Sequence, residues 1–251
     1  MGVIYIGDRA AGKTHLAMEL ANPRSKYVKV TYPDYENLKG MLYDSELDRT
    51  KATDAVSAIH SRHLEIKVEL PTGHKQITLD WIDTPGEIWR NSWQSANPDE
   101  WNLFLNTILQ SEGILLIVEP YREIIQPNLA VNYDNFITQQ QWCNRFERWV
   151  EFFRHDCNKV RHLTICLNKA DMFCDIAKEA SQLEYIPHRS KKNWLQRQEY
   201  IIDLPYFAPI KPHITEIKKS VSGSVRCFVT SIHNRSLLEL PWIYLATFLA
   251  K

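Results

Sequence analysis

Gly7-Asp8-Arg9-Ala10-Ala11-Gly12-Lys13-Thr14 decides how the rest of the chain is read. It fits the phosphate-binding pattern of Gly, four free positions, then Gly-Lys-Ser/Thr. Val3-Ile4-Tyr5-Ile6 reads as a short buried strand ahead of it, and Thr14 to Ala21 as the opening of a helix behind it. In that setting the pattern has a physical meaning. Gly7 and Gly12 permit backbone conformations that a side chain would obstruct. Successive N–H groups, from Gly7 through to His15, then turn inward around an anion, and the helix N-terminus adds its positive dipole end. Lys13 would reach the β- and γ-phosphates, and the Thr14 hydroxyl would hold Mg²⁺. The loop implies a nucleoside triphosphate without saying which one.

Composition narrows the setting. The chain has 251 residues, enough for a large core, with Lys+Arg and Asp+Glu balanced at 30 each. That balance gives no sign of a nucleic-acid or anionic-membrane partner. An apolar fraction of 44% and eight Trp argue against disorder. The five cysteines, Cys143, Cys157, Cys166, Cys174 and Cys227, include no Cys-x-x-Cys pair. They read as buried free thiols of a reducing cytoplasm. His60-x-x-His63 lacks the Glu and third ligand of a metalloprotease motif. The apolar stretch Leu237 to Ala250 contains Glu239 and Pro241. It falls short of the ~20 residues a membrane span needs and reads as a packed terminal helix.

Strands and helices alternate along the chain. Lys26 to Thr31 is a possible strand, and Tyr32 to Lys51 is polar and helical in part. His63 to Leu70 and Gln76 to Asp83 both alternate apolar and polar residues around a turn at Pro71 to His74, predicting a hairpin with one buried face. Trp101 to Gln110 fits a helix, and Gly113 to Val118 is an uninterrupted apolar run of the buried-strand type. Across Gln139 to His155 the residues Trp142, Phe146, Trp149 and Phe153 share one helical stripe. Leu163 to Leu167 and Val225 to Thr230 are further strands. Two long connections remain, Tyr121 to Thr138 and Phe173 to Gly223. The second is too long to lack structure, and Ser190 to Ile202 is its best helix.

Three more motifs stand at the C-terminal ends of these strands, where open α/β sheets bind ligands. They are Asp83-Thr84-Pro85-Gly86, Asn168-Lys169-Ala170-Asp171 and Thr230-Ser231-Ile232. With the first loop, and in this order, the set resembles the G domain of the translation-factor and Ras-like GTPases. The resemblance implies a single α/β domain over residues 1–251, of the three-layer P-loop NTPase kind. Its sheet would be mostly parallel and six-stranded, with one antiparallel strand, helices on both faces, and insertions at about 121–138 and 173–223. It also implies the roles of the motifs. Asp83 would hold Mg²⁺ opposite Thr14, and Gly86 would approach the γ-phosphate with its N–H. Asp171 would accept from the guanine N1–H and exocyclic amine, which adenine does not offer. Asn168 would support the base, the Lys169 stem would lie on the purine face, and backbone around Ser231 and Ile232 would meet the guanine oxygen. The implied ligands are GTP or GDP with Mg²⁺.

The pattern departs from the family in three places. Thr31, Thr50 and Thr53 all lie in the window of the first switch threonine. Thr53, nearest the hairpin, is taken as the metal ligand, although it would equally cap a helix at Ala55 to Ile59. Glu87 follows Gly86 where Ras-like proteins carry a water-orienting Gln; a carboxylate there would take a proton but repel the γ-phosphate. Arg9 stands where small residues are preferred, and is either a built-in cation for transition-state charge, an obstacle to it, or solvent-facing. Hydrolysis is therefore expected to be slow. Trp89 and Trp93 share a helix face beside Glu87, and either dock a protein effector or pack under the inserted segments. The Gly-Glu-Ile-Trp sequence with its expanded first switch is also similar to the double-GTPase modules of bacterial conflict systems. The expectation is a slow GTPase switch acting on a protein partner. The alternatives are a guanine-nucleotide module without turnover and an ATP-dependent P-loop enzyme.

Overall fold

The computed structural model describes residues 2–8, 10–44, 49–50, 60–83, 86–89, 91–130 and 132–249. Chain order begins with β1 (Val3–Gly7), α1 (Lys13–Ala21), β2 (Val28–Tyr32) and α2 (Tyr35–Leu42). Two-residue strands β3 (Tyr43–Asp44) and β4 (Arg49–Thr50) pair with each other. The hairpin β5 (His60–Leu70) and β6 (Gly73–Asp83) is followed by α3 (Asn91–Ala96) and α4 (Pro98–Leu109). Next come β7 (Gly113–Val118), α5 (Gln139–Glu151), β8 (His162–Leu167), α6 (Ile176–Gln182), α7 (Trp194–Ile202) and α8 (Lys211–Ser220). The chain ends in β9 (Ser224–Val229) and α9 (Arg235–Phe248).

The principal sheet runs β2-β5-β6-β1-β7-β8-β9. β6, β1, β7, β8 and β9 are mutually parallel, and only β5 runs against its neighbours. Every residue of β1 and β7 is buried. A strand buried on both sides needs cover on both faces of the sheet, as in other parallel α/β layers. On one face α1 and α9 pack together, and Trp242 of α9 stacks on Tyr5 of β1 with ring centroids 5.7 Å apart. The aromatic stripe Trp142, Phe146, Trp149 and Phe153 is buried as its spacing predicts.

The sheet has seven strands where six were expected. The extra one is β2, an edge strand that pairs antiparallel with β5 and is also held by side chains from the far end of the chain. Val28 and Val30 are buried against the sheet, while Glu239 of α9 accepts from Lys26 N (2.8 Å) and Tyr27 N (2.7 Å). Arg235 donates to Val28 O (2.8 Å) and Leu20 O (2.9 Å) and pairs with Glu239. A buried charge is tolerated only when paired and hydrogen-bonded, and this pair satisfies the backbone at the start of β2. Two boundaries also shift. The hairpin turn tightens to Pro71-Thr72, with Leu70 opposite Gly73, and the α5 helix gives way to a π turn at Phe152–Asp156. Residues 173–223 hold α6, α7, a 3-10 segment at Pro205–Ile210, and α8. Among the described residues no helix is long and apolar enough to cross a membrane.

Candidate functional site

The loop after β1 closes on itself through glycine-dependent geometry. Gly7 takes φ +151, and a Cβ there would lie 2.1 Å from Ile117 O of the neighbouring strand. Gly12 takes φ +88, and its Cβ would strike Asn168 Nδ2 at 2.5 Å. Ala10 also sits in the left-handed region at φ 63. Gly12 is the N-cap of α1 and offers no side-chain cap, whereas Asp34, Thr138, Asp175, Asn193 and Asn234 cap α2, α5, α6, α7 and α9. The first-turn N–H groups of a helix have no intrahelical partner. At α1, as at α4 and α8, no side chain caps them, and at α1 an anion could take that place. Lys13 is buried in this concavity, and its Nζ donates to Gly7 O and Asp8 O, each at 3.0 Å. Thr14 lies in the first turn of α1 with its hydroxyl making no hydrogen bond to a described residue, which suits a metal ligand.

Asn168 joins this loop to the ends of the later strands. Its Nδ2 donates to Ala11 O at 2.9 Å, and its Oδ1 accepts from Thr230 Oγ1 at 3.1 Å. Its own N–H donates to Val118 O, and Ala170 N to Thr230 O. One buried side chain thus ties together the loops after β1, β8 and β9. Asp171 Oδ1 accepts from Ser231 Oγ, and His233 Nε2 lies 3.9 Å from Asp171 Oδ2. Ile232 is partly buried against the core.

Lys169 is left-handed at φ 59. Its ammonium lies 3.8 Å from Glu119 Oε2 and 4.9 Å from the centre of the Phe136 ring. Burial pushes the Lys169 ammonium below its ordinary pKa, with Glu119 and Asp171 opposing that shift. Burial pushes the Glu119 carboxyl up, against the pull of Lys169 and Arg145. Burial thus opposes the charged form on both partners while each supports the charge of the other. His15 is lowered by burial and by nearby Lys169. Asp8 meets Arg148 of α5 at 3.7 Å, and Glu119 meets Arg145 at 3.3 Å. Glu119 was not foreseen from sequence, yet it follows the apolar run Gly113–Val118 and so ends a strand as the other site residues do.

The structure brings Gly7, Asp8, Ala10, Ala11, Gly12, Lys13, Thr14, His15, Asn168, Lys169, Asp171 and Ser231 to one edge of the sheet. Asp83 is the last residue of β6, and Gly86 and Glu87 open the 3-10 turn Gly86–Trp89. Arg9, Thr53, Thr84 and Pro85 lie outside the described residues. Trp89 is buried, with ring contacts to Trp101, Phe104, Trp149 and Phe152. Trp89 therefore packs rather than docks, but against α4, α5 and the π turn and not under the inserted segments. Trp93 is partly buried on the same core.

Among solved structures, the chain is similar to the SRb-GTP/SRX complex of the signal recognition particle receptor from Chaetomium thermophilum. Identity is 13% and the TM-score 0.44, over 98% of this chain and 97% of that one. It is also similar to the bacterial selenocysteine-specific elongation factor EF-Sec, at 15% identity and a TM-score of 0.38, over 98% of this chain and 28% of that one. No protein-family model and no curated protein matches the chain. At these identities and TM-scores the function has to be read from the loops themselves.

Proposed function

We propose that the chain is one G domain over residues 1–251 that binds GTP and GDP with Mg²⁺, hydrolyses GTP slowly, and uses the difference to switch a protein partner. The observation that carries this is Asn168, bonded at once to Ala11 of the phosphate loop and to Thr230 beside Ser231. It sets a carboxylate, Asp171, on the same edge as the uncapped N-terminus of α1. A phosphate at one end and a base with two adjacent N–H donors at the other answer those two features. Guanine offers such donors and adenine does not, a difference worth ~2–3 kcal/mol when a buried acceptor is left unpaired.

In this reading the N–H groups from Ala10 to His15 and the Lys13 ammonium bind the phosphates, and Lys13 leaves the carbonyls of Gly7 and Asp8 to do so. Thr14, Asp83 and Thr53 would hold Mg²⁺, which when bound would neutralise charge on the phosphate oxygens. Gly86 offers its N–H to the γ-phosphate and loses that partner after hydrolysis, which makes the segment a switch. Glu87 orients or deprotonates the attacking water, and Arg9 meets developing negative charge. The free thiols Cys143, Cys157, Cys166, Cys174 and Cys227 suit a reducing cytoplasm.

Single-turnover phosphate release from GTP tests the catalytic half. Wild type is expected to release phosphate slowly, with Glu87→Ala and Arg9→Ala each slower by about tenfold or more. Unchanged rates would remove both residues from the mechanism. Absence of any phosphate release with GTP still bound would favour the non-hydrolysing module, which the unusual Arg9 and Glu87 already suggest as the second reading.

A further inference from the structure

The ammonium of Lys169 has two carboxylates to choose between. Glu119, which follows β7, and Asp171, two positions further along the loop after β8, both support its charge, Glu119 the more strongly. The side chains are arranged in favour of Glu119. Its Oε2 lies 3.8 Å from Lys169 Nζ, and its Oε1 lies 3.3 Å from Arg145 of α5. Glu119 and Lys169 are only 13% and 24% exposed, so water screens their attraction little. The Phe136 ring adds a second hold on the ammonium, 4.9 Å from Nζ. Phe136 is in turn fixed by Arg122, whose Nε donates to Phe136 O at 2.9 Å. Among the described residues no ion pair joins Lys169 to Asp171. The Asp171 oxygens face Ser231 and His233 instead.

We propose that Glu119 is a positioning residue that determines base specificity: it holds the Lys169 ammonium away from Asp171 and so leaves that carboxylate open to the base. The inference rests on the reading of Asp171 as the acceptor for guanine. A mostly buried ammonium is stable only when paired. With Glu119 made neutral, Lys169 turns to the remaining carboxylate, Asp171. A charge-assisted contact then occupies the oxygens that guanine needs for its N1–H and exocyclic amine. Hypoxanthine keeps the N1–H but lacks the amine, so it loses less than guanine does. Arg145 fixes the Glu119 carboxylate through its other oxygen, and Phe136 is the weaker of the two restraints on Lys169.

The readout is the preference of the full chain for GDP over inosine diphosphate, each titrated with Mg²⁺ present and its heat of binding recorded. The wild type is expected to prefer GDP by about tenfold or more. Glu119→Gln is nearly isosteric and still accepts from Arg145; it is expected to cut that preference at least about threefold. Phe136→Leu is expected to cut it by about twofold. Adding Lys169→Met to either variant removes the competing ammonium and keeps an unbranched stem. The preference should then return to within about twofold of the wild-type value. A role in the fold alone would weaken both nucleotides alike, and the second substitution would restore nothing. A preference unchanged in Glu119→Gln, or lowered there and not restored by Lys169→Met, overturns the assignment. Should Glu119→Gln fail to fold, Phe136→Leu with and without Lys169→Met decides by the same two criteria. Equal wild-type affinity for the two nucleotides would instead defeat the reading of Asp171, and this inference with it.

Discussion

At the C-terminal ends of the parallel strands the backbone enters the left-handed region at Gly7, Ala10, Gly12 and Lys169, while the opposite ends are closed by ordinary packing. There a Cβ on Gly223 would meet Val160 O and Arg161 O at 2.2 Å each, and one on Gly113 would meet Leu245 Cδ2 at 3.1 Å. His162 Nδ1 bonds Ser224 Oγ at 2.9 Å, which in turn bonds the Tyr244 hydroxyl at 2.7 Å. Both ends are dense, but for different reasons. Left-handed backbone at a non-glycine costs roughly 1–3 kcal/mol and persists where neighbours over-determine it, as Asn168 does across three loops. The N-terminal ends carry no such cost. The comparison teaches that the two edges should separate in experiment: one governs ligand affinity and the other governs stability.

The sharpest way to break that separation is at the C-terminal edge. Asp171→Asn keeps a partner for Ser231 but removes the carboxylate that the proposed function assigns to guanine. GTP affinity should fall by about 30-fold or more, roughly 2 kcal/mol, with the thermal midpoint unchanged. Calorimetric titration beside a melting curve would show this. A large loss of stability with affinity retained would mean that Asp171 serves the fold.

Gly223→Ala is the mirror case. Backbone carbonyls block the new methyl, so unfolding stability should drop by roughly 2 kcal/mol, read from urea denaturation. GTP affinity of the remaining folded protein should stay within about twofold. The smallest effect is in pH. Burial lowers His15 at one edge and His162 at the other below the ordinary value of 6.5. The unfolded chain therefore protonates first as pH falls. Stability is fully present above about 6.5 and declines below it. His162→Asn and His15→Gln should each flatten that decline, by denaturation measured at several pH values. An unchanged slope in both would mean that neither imidazole is held neutral.

The C-terminal edge was the more legible of the two in sequence. Lys13, Asn168 and Asp171 announce themselves because a phosphate loop and a polar turn need those residue types at fixed spacing, directly after apolar runs. The left-handed Lys169 and the Asn168 link to Ala11 are tertiary facts, and spacing within one segment cannot carry them. The same holds for β2: Lys26 to Thr31 has only two buried valines, and beyond its pairing with β5 its start is held by Arg235 and Glu239, more than two hundred residues later. Trp89 and Trp93 share a helical spacing that fits either an exposed face or a core. Only the arrival of Trp101, Phe104, Trp149 and Phe152 from three other segments decides for Trp89. The helices of 173–223 were half legible. Asn193 begins α7 with a capping box to Gln196, whereas α6, capped by Asp175, has only seven residues and α8 has no side-chain cap.

One measurement bears most directly on whether a single guanine nucleotide answers both Lys13 and Asp171. A fluorescent ribose-labelled GDP is bound to the wild-type chain in the presence of Mg²⁺ and then challenged with unlabelled GTP or ATP. GTP is expected to displace it at micromolar concentration and ATP to fail at millimolar. Displacement by ATP as readily as by GTP would contradict the account, because Asp171 would then not be reading the base.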